Sequence, residues 1–164
     1  MISSPVAFLA AAVKPLPACH FTHASSDAAL ALLDKHKFAI ADIERITALK
    51  PKCDRYGMPL MIEPLVFAAN QKTGGYMVDG DLGRILPLVR QAVELGADII
   101  KVSYTGSVES FREVVAGCPV PVVIAGGPKM NSDRDILEMV QGSIEAGGAG
   151  VSIGRNVFQH RDPS

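Results

Sequence analysis

Tryptophan is absent from this chain, and the other aromatics are scarce: six Phe and three Tyr among 164 residues. A platform for stacking single-stranded nucleic acid is therefore not expected. Neither charge is in excess, with 16 Lys and Arg against 17 Asp and Glu and a formal net charge of −1. A nearly neutral chain without a basic run has no electrostatic footprint for a phosphodiester backbone, so no nucleic-acid partner is expected. Cysteine is sparse as well. Cys19, Cys53 and Cys118 are odd in number, far apart and free of any CxxC pair. That pattern argues against a disulfide framework or a zinc site and fits a reducing cytoplasm. His20 and His23 have no partner cluster, so no metal is expected there. Long apolar runs are missing too. Residues 5–13 are apolar, but no Lys or Arg precedes them and Lys14 and Pro15 close the stretch too early for a membrane span.

What is present is a rhythm in the second half. Residues 59–63 (Pro-Leu-Met-Ile-Glu), 98–104, 120–125 and 150–154 are short apolar runs with the character of buried strands. Between them lie helical patterns: residues 79–95, capped by Asp79 or Asp81 and interrupted by Pro87; residues 108–116; and residues 132–146, capped by Ser132 or Asp133. A kink at Pro87, or a helix starting near it, is expected. Short strands alternating with longer helices indicate βαβ units around a parallel sheet. The strand runs are apolar without clean alternation, as strands covered by helices require. The fold class read from this is α/β, with TIM-barrel-type (β/α) units forming an apparent half barrel. Four units are visible, whereas eight need about 250 residues. Residues 1–40 stay outside the rhythm, although residues 27–35 suit a helix. A further helix is expected over residues 40–49, resuming after Pro51.

The chemistry centres on Lys101, which interrupts the apolar strand 98–104. A lysine placed there leaves water in part, and desolvation favours the neutral amine. A neutral amine can attack a ketone or aldehyde to form a Schiff base; the alternative is a lysine that snorkels to the surface. Two glycine turns follow successive strands: Gly126-Gly127-Pro128-Lys129 and Gly154-Arg155-Asn156. Glycine lets backbone N–H groups approach an anion, and the loops after a barrel's last two strands often hold phosphate. Arg155 adds a directional charge. Glu63, at the end of its strand, is an acid/base candidate. Ser103 shares the alternation of Lys101, and Tyr104 and Lys129 join it as pocket candidates.

These segments resemble the DeoC/LacD-type class I aldolases. The resemblance rests on Ala97-Asp-Ile-Ile-Lys101, Ala125-Gly-Gly-Pro-Lys129 and the run from Gly150 through Gly154-Arg155-Asn156-Val157-Phe158-Gln159. Pro59 to Pro64 and Gly80-Asp81 are similar to the class I fructose-bisphosphate aldolases of archaeal and bacterial type. The resemblance covers roughly residues 42–163. It implies a Schiff base on Lys101 and substrate phosphate at Gly126, Gly127, Gly154 and Arg155. The chain departs from the family at several points, among them these. Residues 1–40 hold no match to the acidic first strand, and Pro64 and Leu65 stand where fructose-bisphosphate members often carry a Tyr.

The expectation is thus an N-terminal segment, residues 1–40, before the C-terminal half of an aldolase barrel, residues 41–164. Its activity would be Schiff-base cleavage or formation of a carbon–carbon bond in a phosphorylated ketose, without cofactor or metal. The alternatives are a non-catalytic barrel fragment that keeps phosphate affinity, or another phosphate-binding barrel enzyme such as an epimerase or isomerase. A cytoplasmic location is expected, with no membrane partner. Uncovered strand edges and an open apolar face lead to an expected homo-oligomer.

Overall fold

The computed structural model describes residues 7–10, 40–70 and 74–162. The helix expected over residues 27–35 and the pair His20 and His23 lie outside the described residues. Four parallel strands form the centre: β2 (Met61–Ala69), β4 (Ile99–Ser103), β5 (Val122–Ala125) and β6 (Gly150–Ser152). They lie side by side in chain order. Singly wound order of this kind belongs to a barrel wall, whereas doubly wound sheets reverse direction at a switch point. The architecture is a partial TIM-barrel-type fold, as the alternation of strands and helices implies.

Helices α2 (Leu82–Glu94), α3 (Val108–Ala116) and α4 (Asp133–Glu145) join successive parallel strands. Each begins at a side-chain cap: Asp81, Ser107 and Ser132 accept from the backbone N–H three residues on. The helix α2 runs continuously through Pro87, which lies exposed, and starts well before it. Helix α1 (Ile40–Arg55) is likewise one piece with Pro51 inside, where two segments were expected. The hydrogen bond lost at Pro51 is offset by tertiary anchoring: Ile46 and Cys53 enter the core, and Lys50 pairs with Asp98.

One face of the sheet meets the helices. Ile62, Ile100, Val102, Val122 and Ile124 are buried there with Ile85, Val89 and Ala92 of α2 and Phe111 and Val114 of α3. Fully burying each large apolar side chain contributes roughly 1.5–3 kcal/mol. Alternation sends Glu63, Lys101, Ser103, Val123, Ala125 and Ser152 to the opposite face, which lines the inside of the barrel wall. At the other end of the strands Gly96 holds φ 93°, a value that suits glycine alone, and closes α2 into β4. Asp98 follows. Its carboxylate accepts from the Leu60 N–H at 2.8 Å and from Lys50 Nζ at 2.9 Å, fixing the starts of β2 and β4.

Further features lie outside the alternation of strands and helices. Strand β2 continues past Glu63 and Pro64 to Ala69, so Glu63 lies within the strand and not at its end. Its extension pairs antiparallel with β1 (Ala7–Ala10), where Leu9 faces Pro64, and with β3 (Tyr76–Val78), where Phe67 faces Val78. Beyond β6, Arg155 and Asn156 open a one-turn helix, α5 (Arg155–Phe158), where a plain turn was expected.

Candidate active site

Lys101 sits at the centre of β4, bonded on one side to β5 and on the other to β2. Only 7% of its surface is exposed. Burying a charge this far requires a partner, and Glu63 on β2 supplies it, with Lys101 Nζ 3.0 Å from Glu63 Oε2. Both side chains lie on the inner face, and the Glu63 side chain is 15% exposed. Among the described residues no buried polar side-chain atom is left without a hydrogen-bond partner. The reading of Lys101 as a surface lysine is therefore replaced by that of a buried lysine held by one carboxylate.

Two residues beyond Lys101 on the same face, Ser103 lines a cavity of about 460 Å³. Its walls include Gly80, Tyr104, Ala125, Gly126, Gly127 and Met139. Lys101 and Glu63 are not among those walls. Lys101 lies deeper along the strand of Ser103, about 7 Å back for a two-residue step, with Glu63 beside it on β2. Tyr104 reaches the cavity rim, but its ring packs outward at 5.3 Å from Phe111. Its hydroxyl occupies the space where a side chain on Gly142 would begin. Burial pushes the Tyr104 phenol up, and Glu109 and Glu145 add to the effect, so it stays protonated at neutral pH. Tyr104 thus forms a wall between the cavity and the helix layer.

The two glycine turns adjoin at the ends of β5 and β6. Gly127 has φ 64°, a left-handed value that disfavours any side chain. At Gly126 a Cβ would fall 2.8 Å from Ile153, so glycine there lets the two strand ends come together. Gly154 is the residue before α5, and Arg155 is exposed and forms no ion pair among the described residues. Lys129 turns away from the cavity, and its ammonium donates to the Gln159 carbonyl.

Asn156, which the sequence offered only as part of a turn, joins these loops. It is 5% exposed, and its amide makes three bonds. Its Nδ2 donates to the carbonyls of Gly126 (2.8 Å) and Pro128 (3.1 Å), and its Oδ1 accepts from the Met130 N–H (2.7 Å). No three His, Cys, Asp or Glu side chains converge as a metal site among the described residues. No described helix is long and apolar enough to cross a membrane.

A buried lysine inside a barrel wall, with glycine turns closing the next two strands, can be set beside known proteins. The DeoC/LacD family aldolase pattern matches residues 30–160. The chain belongs to the DeoC/LacD aldolase family. Among relatives, it is 38% identical over 118 residues to an uncharacterized aldolase of Saccharolobus solfataricus, covering 72% of this chain and 42% of that one. It is 39% identical to a 2-amino-4,5-dihydroxy-6-oxo-7-(phosphonooxy)heptanoate synthase of Streptomyces griseus, covering 74% and 42%. It is 37% identical to a class 1 fructose-bisphosphate aldolase of Thermoproteus tenax, covering 73% and 44%. An archaeal fructose 1,6-bisphosphate aldolase superposes with a TM-score of 0.64 at 33% identity, over 74% of this chain and 46% of the other. A further archaeal structure, with the catalytic Lys covalently bound to the carbinolamine intermediate of the substrate, superposes with a TM-score of 0.63. This member of the DeoC/LacD family spans less than half the length of each of these relatives.

Proposed function

We propose that this chain carries the Schiff-base centre of a class I aldolase acting on a phosphorylated ketose. The observation that supports this most is the Lys101–Glu63 pair, buried on the inner face of the sheet. Proton transfer from the Lys101 ammonium to the Glu63 carboxylate leaves a neutral amine beside a neutral acid. The amine lone pair adds to the ketone carbon, giving a carbinolamine, and Glu63 returns its proton as the hydroxyl leaves as water. The resulting iminium is an electron sink. In the cleavage direction Glu63 takes the proton of the hydroxyl on the carbon β to the iminium carbon. The O–H electrons form the aldehyde, the carbon–carbon bond breaks, and its electron pair neutralises the iminium as an enamine. Protonation of the enamine carbon and hydrolysis then free Lys101. This sequence calls on no cofactor.

Gly126, Gly127, Gly154 and Arg155 would take the substrate phosphate. The glycine turns meet through Asn156, and Arg155 is exposed beside them. Relatives whose names specify a fructose bisphosphate and a phosphonooxy compound favour a phosphorylated substrate. Ser103 would line the route from cavity to amine and Tyr104 the cavity rim, with Lys129 bracing the outer loop. The dispersed free cysteines favour a reducing cytoplasm. The apolar residues Leu137, Ile144, Val151, Val157 and Phe158, all exposed near the edge strand β6, favour self-association, which sedimentation velocity would detect as a species heavier than one chain.

The test of the activity is borohydride reduction in the presence of dihydroxyacetone phosphate or fructose 1,6-bisphosphate, followed by intact-mass and peptide mapping. A reduced adduct on Lys101 is expected. Substrate turnover without any adduct would replace this reading with an isomerase or epimerase.

A further inference from the structure

We infer that Asn156 is a positioning residue that sets selectivity for the substrate phosphate without touching the reacting carbon. This rests on the aldolase reading of the same site. A primary amide has two N–H donors and one carbonyl acceptor that prefers one or two bonds. Asn156 spends both donors on the carbonyls of Gly126 and Pro128 and accepts the Met130 N–H in return. All three partners belong to the loop after β5, while Asn156 belongs to α5 after β6.

One side chain therefore fixes the shape of the first glycine turn and its separation from the second. Turning the carbonyls of Gly126 and Pro128 toward Asn156 also commits these oxygens away from an incoming anion. A peptide carbonyl aimed at phosphate would repel it, so this orientation favours anion binding at the turn. Gly127 lies between the two bound carbonyls and its left-handed backbone is held from both sides. Gly126 and Gly127 also wall the cavity that Ser103 lines, which links the tie to the proposed substrate path.

The side-chain chemistry leaves little latitude. Aspartate has the same shape but places a carboxylate oxygen against two carbonyl oxygens in place of the two N–H bonds. Serine is smaller, adds no charge and can keep at most one of the donated bonds. Lys101 and Glu63 lie on β4 and β2, and neither makes a hydrogen bond with Asn156.

The experiment compares the full chain with Asn156→Asp and Asn156→Ser, using borohydride trapping titrated separately with dihydroxyacetone phosphate and dihydroxyacetone. The half-saturating concentration of the phosphorylated ketone should rise at least about tenfold in both variants, as for loss of one or more charge-assisted contacts. That of dihydroxyacetone and the trapping rate at saturation should move less than about twofold, within the scatter of independent sites. If Asn156→Asp fails to fold, as judged by loss of its cooperative thermal transition, Asn156→Ser carries the comparison. Equal weakening of both ketones, or no weakening of either, would overturn the role given to Asn156 alone. A wild-type chain that traps neither ketone would overturn the aldolase reading and this inference with it.

Discussion

Lys101 and Glu63 stand on adjacent parallel strands with 3.0 Å between amine and carboxylate, facing the same side of the sheet. The pair follows from register. Met61 lies opposite Ile99 and Ile62 opposite Ile100, so the next residues of the two strands are neighbours. Neither charge would be tolerated alone at this depth, which ties the two substitutions together in any variant series.

Lys101→Arg preserves a cation for Glu63 but removes the nucleophile, because a guanidinium stays charged. Borohydride trapping of dihydroxyacetone phosphate should vanish while the circular dichroism spectrum is retained. Trapping at the wild-type rate would show that another lysine carries the chemistry.

Glu63→Gln keeps the volume and a hydrogen-bonding partner for Lys101 but ends proton exchange. Turnover should fall by roughly 10²–10⁴, the usual contribution of a general acid–base, in an aldol-cleavage assay. A slow, still detectable adduct should form on Lys101. Full turnover would remove Glu63 from the proposed mechanism.

Arg155→Ala should weaken phosphorylated ligands by about 1.5–3 kcal/mol, roughly ten- to a hundredfold, and leave unphosphorylated analogues nearly unchanged. Calorimetric titration with both ligand types measures this directly. A common loss for both would assign Arg155 to the structure of α5.

Asp98 makes a pH prediction. The Leu60 N–H, then Lys50, hold its carboxyl below the ordinary value of 3.8. A carboxyl lowered on folding contributes stability above its unfolded value and loses it as pH falls through the folded one. Asp98→Asn should therefore cost on the order of 1 kcal/mol at neutral pH, given that the Asp98 side chain is 40% exposed. The difference from wild type should shrink below about pH 4 in urea unfolding series. An unchanged gap at pH 2–3 would mean that the charge is not the source.

Much of this arrangement was legible in the sequence because it depends on local signals. The strands 98–104 and 120–125 were marked by apolar runs, and the cap residues Ser132 and Asp81 lay just before helical periodicity. Lys101 stood out since a lysine inside such a run has to be explained. Tyr104, a pocket candidate in the sequence, walls the cavity just past the end of β4, and its ring also packs against Phe111 of the helix layer. The antiparallel extension of β2 was hidden by Pro64, which looks like a strand terminator but has a partner in Leu9. Strand β3 and helix α5 span three and four residues, too few to show a period. The role of Asn156 consists of bonds to main-chain groups about thirty residues earlier in the chain, and main-chain groups carry no sequence signature.

The chain-order arrangement of the parallel strands has a kinetic consequence. Ile100 pairs with Val122 and Val123 with Gly150, so each of these strands needs only the unit made just before it. Loop-closure cost grows only slowly with length, so each pairing extends a sheet edge already formed. The contact of Leu9 with Pro64 is the exception, since it spans all of α1. As the chain emerges, the strand bearing Glu63 comes first and meets the strand bearing Lys101 next. The glycine turns and the asparagine that joins them follow, so the lysine–carboxylate pair would be in place before the turns proposed to take the phosphate.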